Sequence, residues 1–555
     1  MASAYNRWYH PYDINEKYTR RAAYFCMEYA IHQSLKIYSG GLGFLAGSHM
    51  RSAYDLRQNL VGVGMLWKYG YYDQERNEDQ SMRPHFTQKF YSFLEDSGIT
   101  VSVLVNSHPV MVKAMVLKPE VFGTAPIYFL TTDVPENDHL ARTITNRLYD
   151  PEPNARVAQS IVLGIGGAKV IAALGGAETY HMNEGHALPL AFHLYKEYGK
   201  KDEVRRRMVF TTHTPEKAGN EEHDIQMLHS MSFFNGLALD EVRELTGSHG
   251  QMFNHTLVAL RLSKVANGVS QLHGEVSREM WYDNDGVCEI KSITNAQNVP
   301  FWMDKQLWEA QEHNKDMALQ RRKAEMKRKL FEIVADQAGK LFKPDILTIV
   351  WARRFAAYKR ADLLVRDMDR FLNFVNKQDM PVQVIWAGKP YPFDHNAVHV
   401  FNKLVYISQK LDNVAVLTGY ELALSRKLKH GADIWLNTPR RPREASGTSG
   451  MTAAMNGAIN FSVQDGWLPE FARNGENSFV LPVVDTSLPD DMQDKEDYEN
   501  MMMMLEQQVV PTYYRDRERW VRIMKQSMRN VVPQFDSDRM AHQYYEMMYN
   551  YPMRS

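Results

Sequence analysis

Cysteine is scarce in this sequence, and so are any excess of charge of one sign and any long uninterrupted hydrophobic run. Cys26 and Cys288 are the two cysteines among 555 residues, which excludes a disulfide-rich secreted scaffold and favours reduced thiols in a cytoplasmic protein. A single bridge between them stays open at this stage. Lysine and arginine total 65 against 66 aspartate and glutamate residues, so no overall field attracts nucleic acid or an anionic membrane.

The most apolar stretch covers residues 161–174, contains Lys169 and is followed by Gly175-Gly176. It is shorter than the roughly 20 apolar residues of a membrane-spanning helix, so we expect a buried helix that ends at the glycines. The N-terminal residues show no basic region followed by an apolar segment, and we therefore expect no secretory leader. We predict a cytoplasmic protein with neither a nucleic-acid partner nor a membrane partner.

Short β-branched or apolar runs alternate with helix-like segments, which predicts an α/β fold. The runs cover residues 208–211, 346–350, 382–386, 414–417 and 459–463. Because they are almost continuously hydrophobic rather than alternating, they are typical of parallel strands covered on both faces. A doubly wound fold follows.

A heavily charged, helix-rich stretch lies between about residues 302 and 340, and we place a domain boundary just before it. It contains the basic clusters 321–323 and 327–329, for which a solvated helix face is favoured over a polyanion site. Residues 490–497 are acidic and are interpreted as a surface loop. The methionines at 501–504 begin a helix and are interpreted as core packing.

The glycine-rich turn Gly40-Gly41-Leu42-Gly43 runs into an apparent helix. Backbone amides without side chains at a helix N-terminus form an anion site, and the alternative is a tight turn without a ligand. His213, within Thr212-His213-Thr214-Pro215, follows a predicted strand; a lone histidine is more often structural, so its role depends on its neighbours. His181 and His186 lack the His-Glu-x-x-His spacing, and no metal site is predicted.

A cluster of cations, Arg353, Arg354, Lys359 and Arg360, follows directly on a predicted strand. Ligands of open α/β sheets lie beyond the carboxyl ends of the strands, so we expect the four cations to face a cleft. Positive charges this close repel one another unless an anion neutralises them, and guanidinium groups match phosphate oxygens. The cluster therefore favours a phosphate site over a solvated loop.

Residues 440–457 combine arginine, glutamate, small hydroxyl residues and glycine. A short helix that starts here offers backbone amides and hydroxyl groups to an oxyanion. Glu444 accepts hydrogen bonds from sugar hydroxyl groups in this interpretation. A simple capping loop needs fewer of these features.

Together these segments resemble the α-glucan phosphorylase family, in its shorter bacterial and archaeal maltodextrin-type branch. The resemblance is carried by Tyr24-Phe25-Cys26-Met27-Glu28-Tyr29, Gly40-Gly41-Leu42-Gly43, Asn183-Glu184-Gly185-His186, Thr212-His213-Thr214-Pro215, Asn267-Gly268-Val269-Ser270, the cluster from Arg353 to Arg360, and Glu444-Ala445-Ser446-Gly447-Thr448-Ser449-Gly450-Met451. It implies the GT-B fold, in which two Rossmann-like doubly wound domains face each other across a cleft. It also implies glycosyl transfer with retention of anomeric configuration.

The resemblance implies three parts of the chain. Residues 1–300 form an N-terminal Rossmann-like domain on the acceptor and sugar side. Residues 301–520 form a C-terminal Rossmann-like domain on the donor phosphate side. Residues 521–555 form a terminal helix that crosses back to the N-terminal domain.

Sugar contacts are implied in both domains. Asn295 and His213 contact the hexose near its 6-hydroxyl group, and the His213 carbonyl faces the anomeric region. The remaining implied sugar contacts are Glu184 and, for the glucose 3- and 4-hydroxyl groups, Glu444, Ser446 and Gly447.

Phosphate contacts are implied by the same resemblance. Gly40 and Gly41 offer backbone amides to the donor phosphate, which the paired cations Arg354 and Lys359 grip. Arg353 stands where longer members often carry lysine. The implied catalytic set is His213, Arg354 and Lys359, and the helix start at Thr448 and Ser449 adds anion contacts.

One departure from the family decides the cofactor prediction. Phosphorylases of this family hold pyridoxal 5′-phosphate (PLP) through a Schiff base to the lysine directly after the Gly-Met of the last motif, and here that residue is Thr452. Threonine has no amine, so the imine cannot form there. Residues 293–300 also depart from the usual family sequence. We expect no cofactor, with PLP present only if it binds non-covalently.

The leading hypothesis is a PLP-independent retaining glucosyltransferase that uses a nucleotide sugar. The two adjoining phosphates of such a donor match the two anion positions that substrate and cofactor fill in a phosphorylase. The first alternative is a glucan phosphorylase that uses glucose 1-phosphate with non-covalent PLP. The second is a catalytically silent glucan-binding protein. An α-glucan or other oligosaccharide is the expected acceptor, and a homodimer is possible because family members are often dimers.

Overall fold

The computed structural model describes residues 3–552, which form two compact units with a sheet in each. Unit 1 contains the residues up to Tyr71, Phe86–Asn295 and the residues from Ser537 onward. Unit 2 contains Tyr72–His85 and Ala296–Asp536. The predicted boundaries placed residues 72–85 in the first domain and residues 521–536 in the terminal helix, and the structure assigns both segments to unit 2.

The strands of the described residues are numbered in chain order. They are β1 Ala22–Phe25, β2 Leu60–Met65, β3 Asp73–Arg76, β4 Met82–His85, β5 Glu95–Val105, β6 His108–Leu117, β7 Ile127–Thr131, β8 Thr179–Asn183, β9 Met208–Thr211, β10 Glu222–Asp224, β11 Met252–Asn254, β12 Val265–Gly268, β13 Glu289–Ser292, β14 Leu347–Ala352, β15 Val382–Ala387, β16 Val414–Leu417, β17 Ile434–Asn437, β18 Ile459–Ser462 and β19 Phe479–Val480.

The α-helices of the described residues are numbered in the same way. They are α1 Gly41–Asp55, α2 Pro119–Phe122, α3 His139–Thr143, α4 Pro153–Ile161, α5 Gly167–Ala173, α6 Pro189–Tyr198, α7 Lys201–Arg207, α8 Ile225–Ser230, α9 Leu239–Thr246, α10 His255–Arg261, α11 Gln271–Met280, α12 Val299–Trp302, α13 Lys305–Glu312, α14 Asp316–Ala338, α15 Met368–Val375, α16 His395–Ser408, α17 Leu422–Gly431, α18 Ser449–Met455, α19 Leu468–Phe471, α20 Asp490–Met504, α21 Val510–Arg515, α22 Arg517–Phe535 and α23 Ser537–Tyr544.

The sheet of unit 1 has nine strands in the order β13-β12-β9-β8-β1-β2-β7-β6-β5. Strands β13 to β7 in that order are parallel, and β6 pairs antiparallel with β5 and β7. Strands β1, β2, β8, β9 and β12 are buried along their whole length, as expected for strands covered on both faces. The chain order runs from β1 to one side and from β8 to the other, so the topological switch point lies between β1 and β8.

The sheet of unit 2 has six parallel strands in the order β16-β15-β14-β17-β18-β19. Its switch point lies between β14 and β17. The strands predicted at 346–350, 382–386, 414–417 and 459–463 are β14, β15, β16 and β18. The predicted α/β fold with doubly wound sheets is therefore confirmed, and its class is that of the GT-B fold.

The apolar stretch forms the end of the helical segment Pro153–Ala173, where a π-helical turn joins α4 to α5. Among residues 3–552 this is the one helix long and apolar enough to cross a membrane, and 72% of its most apolar window is buried inside the fold. Gly175 and Gly176 follow it with φ of 110° and 81°, values that favour glycine. The prediction of a buried helix with a glycine stop is confirmed.

Two interpretations of charged segments are wrong in part. In α14, Lys323 and Lys327 are buried because Lys323 Nζ donates to the carbonyls of His430 and Asn456, and Lys327 Nζ bonds Asp433. These lysines hold unit 2 together and do not belong to a solvated face. Residues 490–497 form the start of α20 instead of a loop.

Candidate active site

At the switch point of unit 1, the buried Glu28 holds the glycine turn that leads into α1. Its carboxylate accepts hydrogen bonds from the backbone amides of Ser39 (2.5 Å) and Gly40 (3.1 Å), and from the hydroxyl of Tyr149 (2.7 Å). The predicted role of the Gly40 amide as a phosphate donor is therefore corrected, because Glu28 already uses that amide. The helix begins at the exposed Gly41, and the first amides of a helix have no partner within it.

The glycines of this segment serve two different purposes. A Cβ atom on Gly47 would lie 2.0 Å from the Ala30 carbonyl oxygen, and one on Gly43 would lie 2.7 Å from Tyr38 Cβ. Packing therefore requires glycine at both positions. A Cβ atom on Gly41 would meet no described atom within 4 Å. Packing within the fold therefore does not require glycine here, and the space next to the first residue of α1 is open.

The carboxyl end of β8, on the other side of this switch point, presents Glu184. Its backbone has φ of 69° and ψ of 171°, a region that is populated almost only by glycine and costs about 1–3 kcal/mol for other residues. Its carboxylate accepts from the His213 backbone N–H at 3.2 Å and from the Thr214 hydroxyl at 3.4 Å. Burial raises the pKa of the Glu184 carboxyl to about 7, and the Glu221 carboxylate adds to this.

His213 lies beside Glu184 at the end of β9, the neighbour of β8. Burial lowers the pKa of its imidazole to about 3, so the ring is neutral at physiological pH. Nε2 lies 2.6 Å from Asn183 Oδ1, which only accepts, so Nε2 carries the proton. The structure thus brings Glu184 and His213 together, as a neutral histidine beside a partly buried carboxyl group.

Asn295 lies beyond β13, two strands along the sheet from β9. Its backbone amide donates to the Val269 carbonyl, and its buried Oδ1 has no partner in the described part of the chain. The structure therefore does not join Asn295 to His213 by a hydrogen bond. Both residues lie along the same edge of the sheet, at the carboxyl ends of parallel strands.

At the switch point of unit 2, the loop after β14 meets the loop after β17. Arg353 Nη2 donates to Glu444 Oε2 at 2.5 Å, and Lys359 Nζ lies 3.8 Å from the same oxygen. Burial alone raises the pKa of the Glu444 carboxyl, but the charges of Arg353 and Lys359 outweigh it and hold the pKa below its usual value. Glu444 is therefore an ionised, ion-paired carboxylate.

Two buried polar groups at this switch point have donor or acceptor atoms without partners in the described residues. They are Nε and Nη1 of Arg353, whose residue is 6% exposed, and the hydroxyl of Ser446, whose residue is 4% exposed. Buried polar atoms in folded proteins are almost always hydrogen-bonded, so these donor and acceptor atoms are available to a ligand. This set lies where open sheets bind ligands.

The cations of the predicted phosphate site differ in their surroundings. Arg354 is exposed, whereas Lys359 is buried. Burial, followed by the charge of Arg353, lowers the pKa of the Lys359 ammonium to about 7. The prediction that all four cations face a cleft is wrong for Arg360, which is buried against other partners.

Arg360 is held by groups of unit 2 that neutralise its charge. Its guanidinium donates to Asp494 (2.9 Å) and Asp497 (2.7 Å) of α20 and to the carbonyls of Thr438 and Pro439. Every edge of the guanidinium is thereby used within the fold. Arg360 stabilises the loop after β17 and is not part of the anion site.

Asp465 holds the loop that carries Glu444. Its carboxylate accepts from the backbone amides of Glu444 and Gly466, both at 2.8 Å, and burial raises the pKa of Asp465 to about 8. Gly447 has φ of 91°, a value that favours glycine. Thr448 is buried and Ser449 opens α18, so the predicted sugar and anion contacts of this motif follow one another along one ordered loop.

Helix α18 offers no amine at position 452 to which PLP could be held through an imine. Thr452 is 1% exposed, and its hydroxyl donates to the Ser449 carbonyl at 3.0 Å within α18. A Cβ atom on Gly450 would lie 2.6 Å from Asn460 Oδ1 and 3.0 Å from the Trp467 ring. Side chains of unit 2 therefore lie against this helix, and α18 contains no amine.

Sequence reasoning missed Glu28 and Asp465 as functional residues. Both are carboxylates that hold a site loop by its backbone amides. A signal for Glu28 existed, because it is the one charged residue in the apolar run 22–31. Across residues 3–552, no group of three or more His, Cys, Asp or Glu side chains is arranged to hold a metal ion.

Comparison with known proteins agrees with these motifs. A family model described as Carbohydrate phosphorylase matches residues 301–480. Maltodextrin phosphorylase of Thermococcus litoralis is 34% identical, and the alignment covers 96% of this chain and 71% of that protein. The chain belongs to the carbohydrate phosphorylase family.

Two further proteins are similar to this chain over nearly its whole length. Glycogen phosphorylase of Mycobacterium tuberculosis is 32% identical over 95% of this chain and 70% of that protein. An uncharacterized protein of Methanocaldococcus jannaschii is 49% identical over 95% of this chain and 99% of its own length. The resemblance seen in the motifs is confirmed, and this chain is a short member of the phosphorylase family.

Proposed function

We propose that this phosphorylase-family protein is a retaining glucosyltransferase that moves glucose from a nucleotide sugar to an α-glucan, without imine-bound PLP. The observation that carries the proposal is the group of buried polar atoms without hydrogen-bond partners at the switch point of unit 2. Arg353 Nε and Nη1 and the Ser446 hydroxyl are buried without partners among the described residues, and Lys359 Nζ lies 3.8 Å from Glu444, the carboxylate to which Arg353 is bonded. The relatives named maltodextrin phosphorylase and glycogen phosphorylase support an α-glucan acceptor.

The phosphates of the nucleotide sugar are held by positive charges and by oriented N–H groups. Nε and Nη1 of Arg353 donate hydrogen bonds to phosphate oxygens, and the exposed Arg354 adds a second guanidinium. A bound phosphate favours the protonated form of Lys359, whose pKa of about 7 in the free protein leaves it poised between its two states. These cations stabilise the negative charge that develops on the leaving diphosphate.

Each unit presents groups that suit a hexose. The Ser446 hydroxyl is an unused partner for a sugar hydroxyl, and the ionised Glu444 is a strong acceptor. In unit 1, the neutral His213 imidazole and its backbone carbonyl present uncharged polar groups at the end of β9. If the acceptor attacks from the face that the phosphate leaves, retention follows without a carboxylate nucleophile.

A second candidate function is transfer from a plain sugar phosphate such as glucose 1-phosphate. The β3–β4 hairpin favours it, because the hairpin lies over the carboxyl ends of β15 and β16 within unit 2. Gln74 bonds the Gly388 carbonyl (2.9 Å) and the Gly419 amide (3.0 Å), and Tyr72 bonds the Pro390 carbonyl (2.7 Å). This hairpin takes space beside the switch point in which the nucleoside of a larger donor would otherwise lie.

Chain extension of maltooligosaccharide distinguishes these functions. The protein is incubated with UDP-glucose, ADP-glucose, GDP-glucose or glucose 1-phosphate, each with and without added PLP, and oligosaccharide length is measured. We expect extension with a nucleotide sugar in the absence of PLP. Extension with glucose 1-phosphate alone supports the second candidate, and no extension with any donor indicates a catalytically silent glucan-binding protein.

A further inference from the structure

One turn of unit 2, residues 465–467, holds the loop of Glu444 and Ser446 by its backbone at both of these residues. The Asp465 carboxylate accepts the Glu444 backbone N–H at 2.8 Å, and the Trp467 backbone N–H donates to the Ser446 carbonyl at 2.9 Å. Both bonds use main-chain atoms of the loop. The side chains of Glu444 and Ser446 take no part in them, and the Ser446 hydroxyl has no partner in the described part of the chain.

The turn is itself anchored in the core of unit 2. Trp467 is buried, and its ring centroid lies 4.8 Å from that of Phe471 and 4.9 Å from that of Phe535. A Cβ atom on Gly466 would lie 2.2 Å from the Ser446 carbonyl oxygen, so the turn and the loop are in direct contact and no larger residue fits there. A rigid support of this kind lowers the entropy that a loop loses when it binds a ligand.

Asp465 is the titratable residue of this turn. The charged groups that face it are the Glu444 carboxylate and the Arg441 guanidinium. Burial, followed by the charge of Glu444, raises the pKa of the Asp465 carboxyl to about 8. Carboxyl groups shifted in this way are frequent at functional sites, which agrees with the place of Asp465 beneath the loop.

We propose that Asp465 is a positioning residue, which holds the loop 444–447 in its ligand-binding shape before the hexose of the donor binds. The inference rests on the proposed function for the identity of the ligand. In this role Asp465 does not touch the ligand and acts through the backbone of Glu444. Because the side chains of Glu444 and Ser446 are ordered in advance, less conformational entropy is lost on binding and the donor binds more tightly.

Hydrogen exchange tests the contact without any substrate. In Asp465→Ala the Glu444 amide loses its acceptor, so exchange of the peptide covering residues 444–447 should become at least about tenfold faster. Asp465→Asn keeps an acceptor oxygen, and its exchange should stay within about threefold of the wild type. Asp367→Ala is the matched control, because Asp367 accepts the Arg370 backbone N–H at 3.0 Å in the same unit. It should leave exchange at residues 444–447 unchanged.

Transfer kinetics test the positioning role. The variants are assayed with maltooligosaccharide and whichever of UDP-glucose, ADP-glucose, GDP-glucose and glucose 1-phosphate the wild type uses. We expect KM for the donor to rise about tenfold in Asp465→Ala with a smaller change in kcat, because the loss affects the bound donor and the transition state alike. Asp465→Asn should restore most of the affinity, and Asp367→Ala should keep the wild-type KM. A merely structural role would lower the amount of folded protein and leave KM unchanged.

The melting temperature gives a further readout, which holds even where Asp465→Ala does not fold. The pKa of the Asp465 carboxyl is about 8 in the folded protein against an ordinary value of 3.8, so the wild type loses stability as pH rises between these values. Asparagine does not titrate. The Tm of Asp465→Asn minus that of the wild type should therefore grow from about pH 4 to about pH 8 and then level off.

Unchanged exchange at residues 444–447 in Asp465→Ala, or an unchanged KM despite faster exchange, would overturn the positioning role. A Tm difference that does not vary with pH would overturn it as well, because the carboxyl group would then not lie buried beside Glu444. A wild type that transfers glucose from none of the four donors would instead overturn the proposed function. Faster exchange in Asp465→Ala would in that case still show that Asp465 holds the loop.

Discussion

Arg353 and Glu444 form a hydrogen-bonded ion pair that joins the loops after β14 and β17 in unit 2. The two side chains are 91 residues apart in the chain, 6% and 11% exposed, and 2.5 Å apart between Nη2 and Oε2. With Nη2 used in the pair, Nε and Nη1 of the arginine have no partner within residues 3–552. It is thus the structural basis of the anion site on which the proposed function depends.

Glu444→Gln should destabilise the protein and weaken sugar binding. Removing one partner of a buried pair leaves the other charge uncompensated, which typically costs about 3–5 kcal/mol. The measurement is the free energy of unfolding of unit 2 in urea. Glu476→Gln is the control, because its pair with Arg473 is 4.0 Å long and two-thirds exposed, and it should change the same quantity by less than about 0.5 kcal/mol. Equal effects of the two substitutions would contradict the assignment.

Arg354→Ala should abolish transfer and leave the fold intact. Arg354 is exposed, so its removal costs little packing, while loss of one donor to a developing oxyanion lowers kcat by about 100- to 1,000-fold. The measurement is the initial rate of glucosyl transfer together with Tm. Arg328→Ala, which removes an exposed cation of α14 in the same unit, should keep the wild-type rate. Unchanged turnover in Arg354→Ala would show that the phosphate assignment is wrong.

Deprotonation of Lys359 should lower the rate of glucosyl transfer at alkaline pH. Its ammonium is charged below its pKa of about 7, so kcat/KM should fall as pH rises through that value. The fall of kcat should come at a higher pH than the fall of kcat/KM, because a bound phosphate stabilises the charged form of Lys359. Lys359→Arg keeps the charge at all these pH values and should remove the alkaline limb. A limb that persists in Lys359→Arg would assign it to another group.

Gly41→Ala and Gly47→Ala should separate function from packing in one helix. The methyl group at position 41 meets no atom within 4 Å, so Tm should hold or rise while KM for the donor rises, because the group takes space kept for a ligand. The methyl group at position 47 would lie 2.0 Å from the Ala30 carbonyl oxygen and should prevent normal folding. Unaltered donor KM in Gly41→Ala would show that the space above α1 is not used.

The strands and the site motifs could be predicted from the sequence because their signals are local. Buried parallel strands are continuous apolar runs, as at 382–386, and the motifs after β14 and β17 are short enough to be identified as they stand. The rule that ligands lie beyond the carboxyl ends of strands was applied to the cations after β14, but β17, the strand before Glu444, was not predicted. The structure shows that β14 and β17 are neighbours at the switch point, which brings Arg353 and Glu444 together.

Other features depended on residues far away in the chain and could not be predicted. Arg360 resembles its neighbours in the cationic cluster, but Asp494 and Asp497, which take its charge, lie 134 and 137 residues further on. Lys327 is buried because Asp433, 106 residues away, accepts from it. Whether a charged side chain serves a ligand or the fold is decided by such partners, and periodicity does not reveal them.

The proposed function requires this phosphorylase-family site to transfer glucose without a vitamin B6 group tethered to the chain. One preparation of the untreated protein is reduced with borohydride and its intact mass measured, while a second portion is assayed for maltooligosaccharide extension with a nucleotide sugar. We expect the mass of the bare chain together with chain extension. A pyridoxyl adduct on a lysine, with extension only from glucose 1-phosphate, would contradict it.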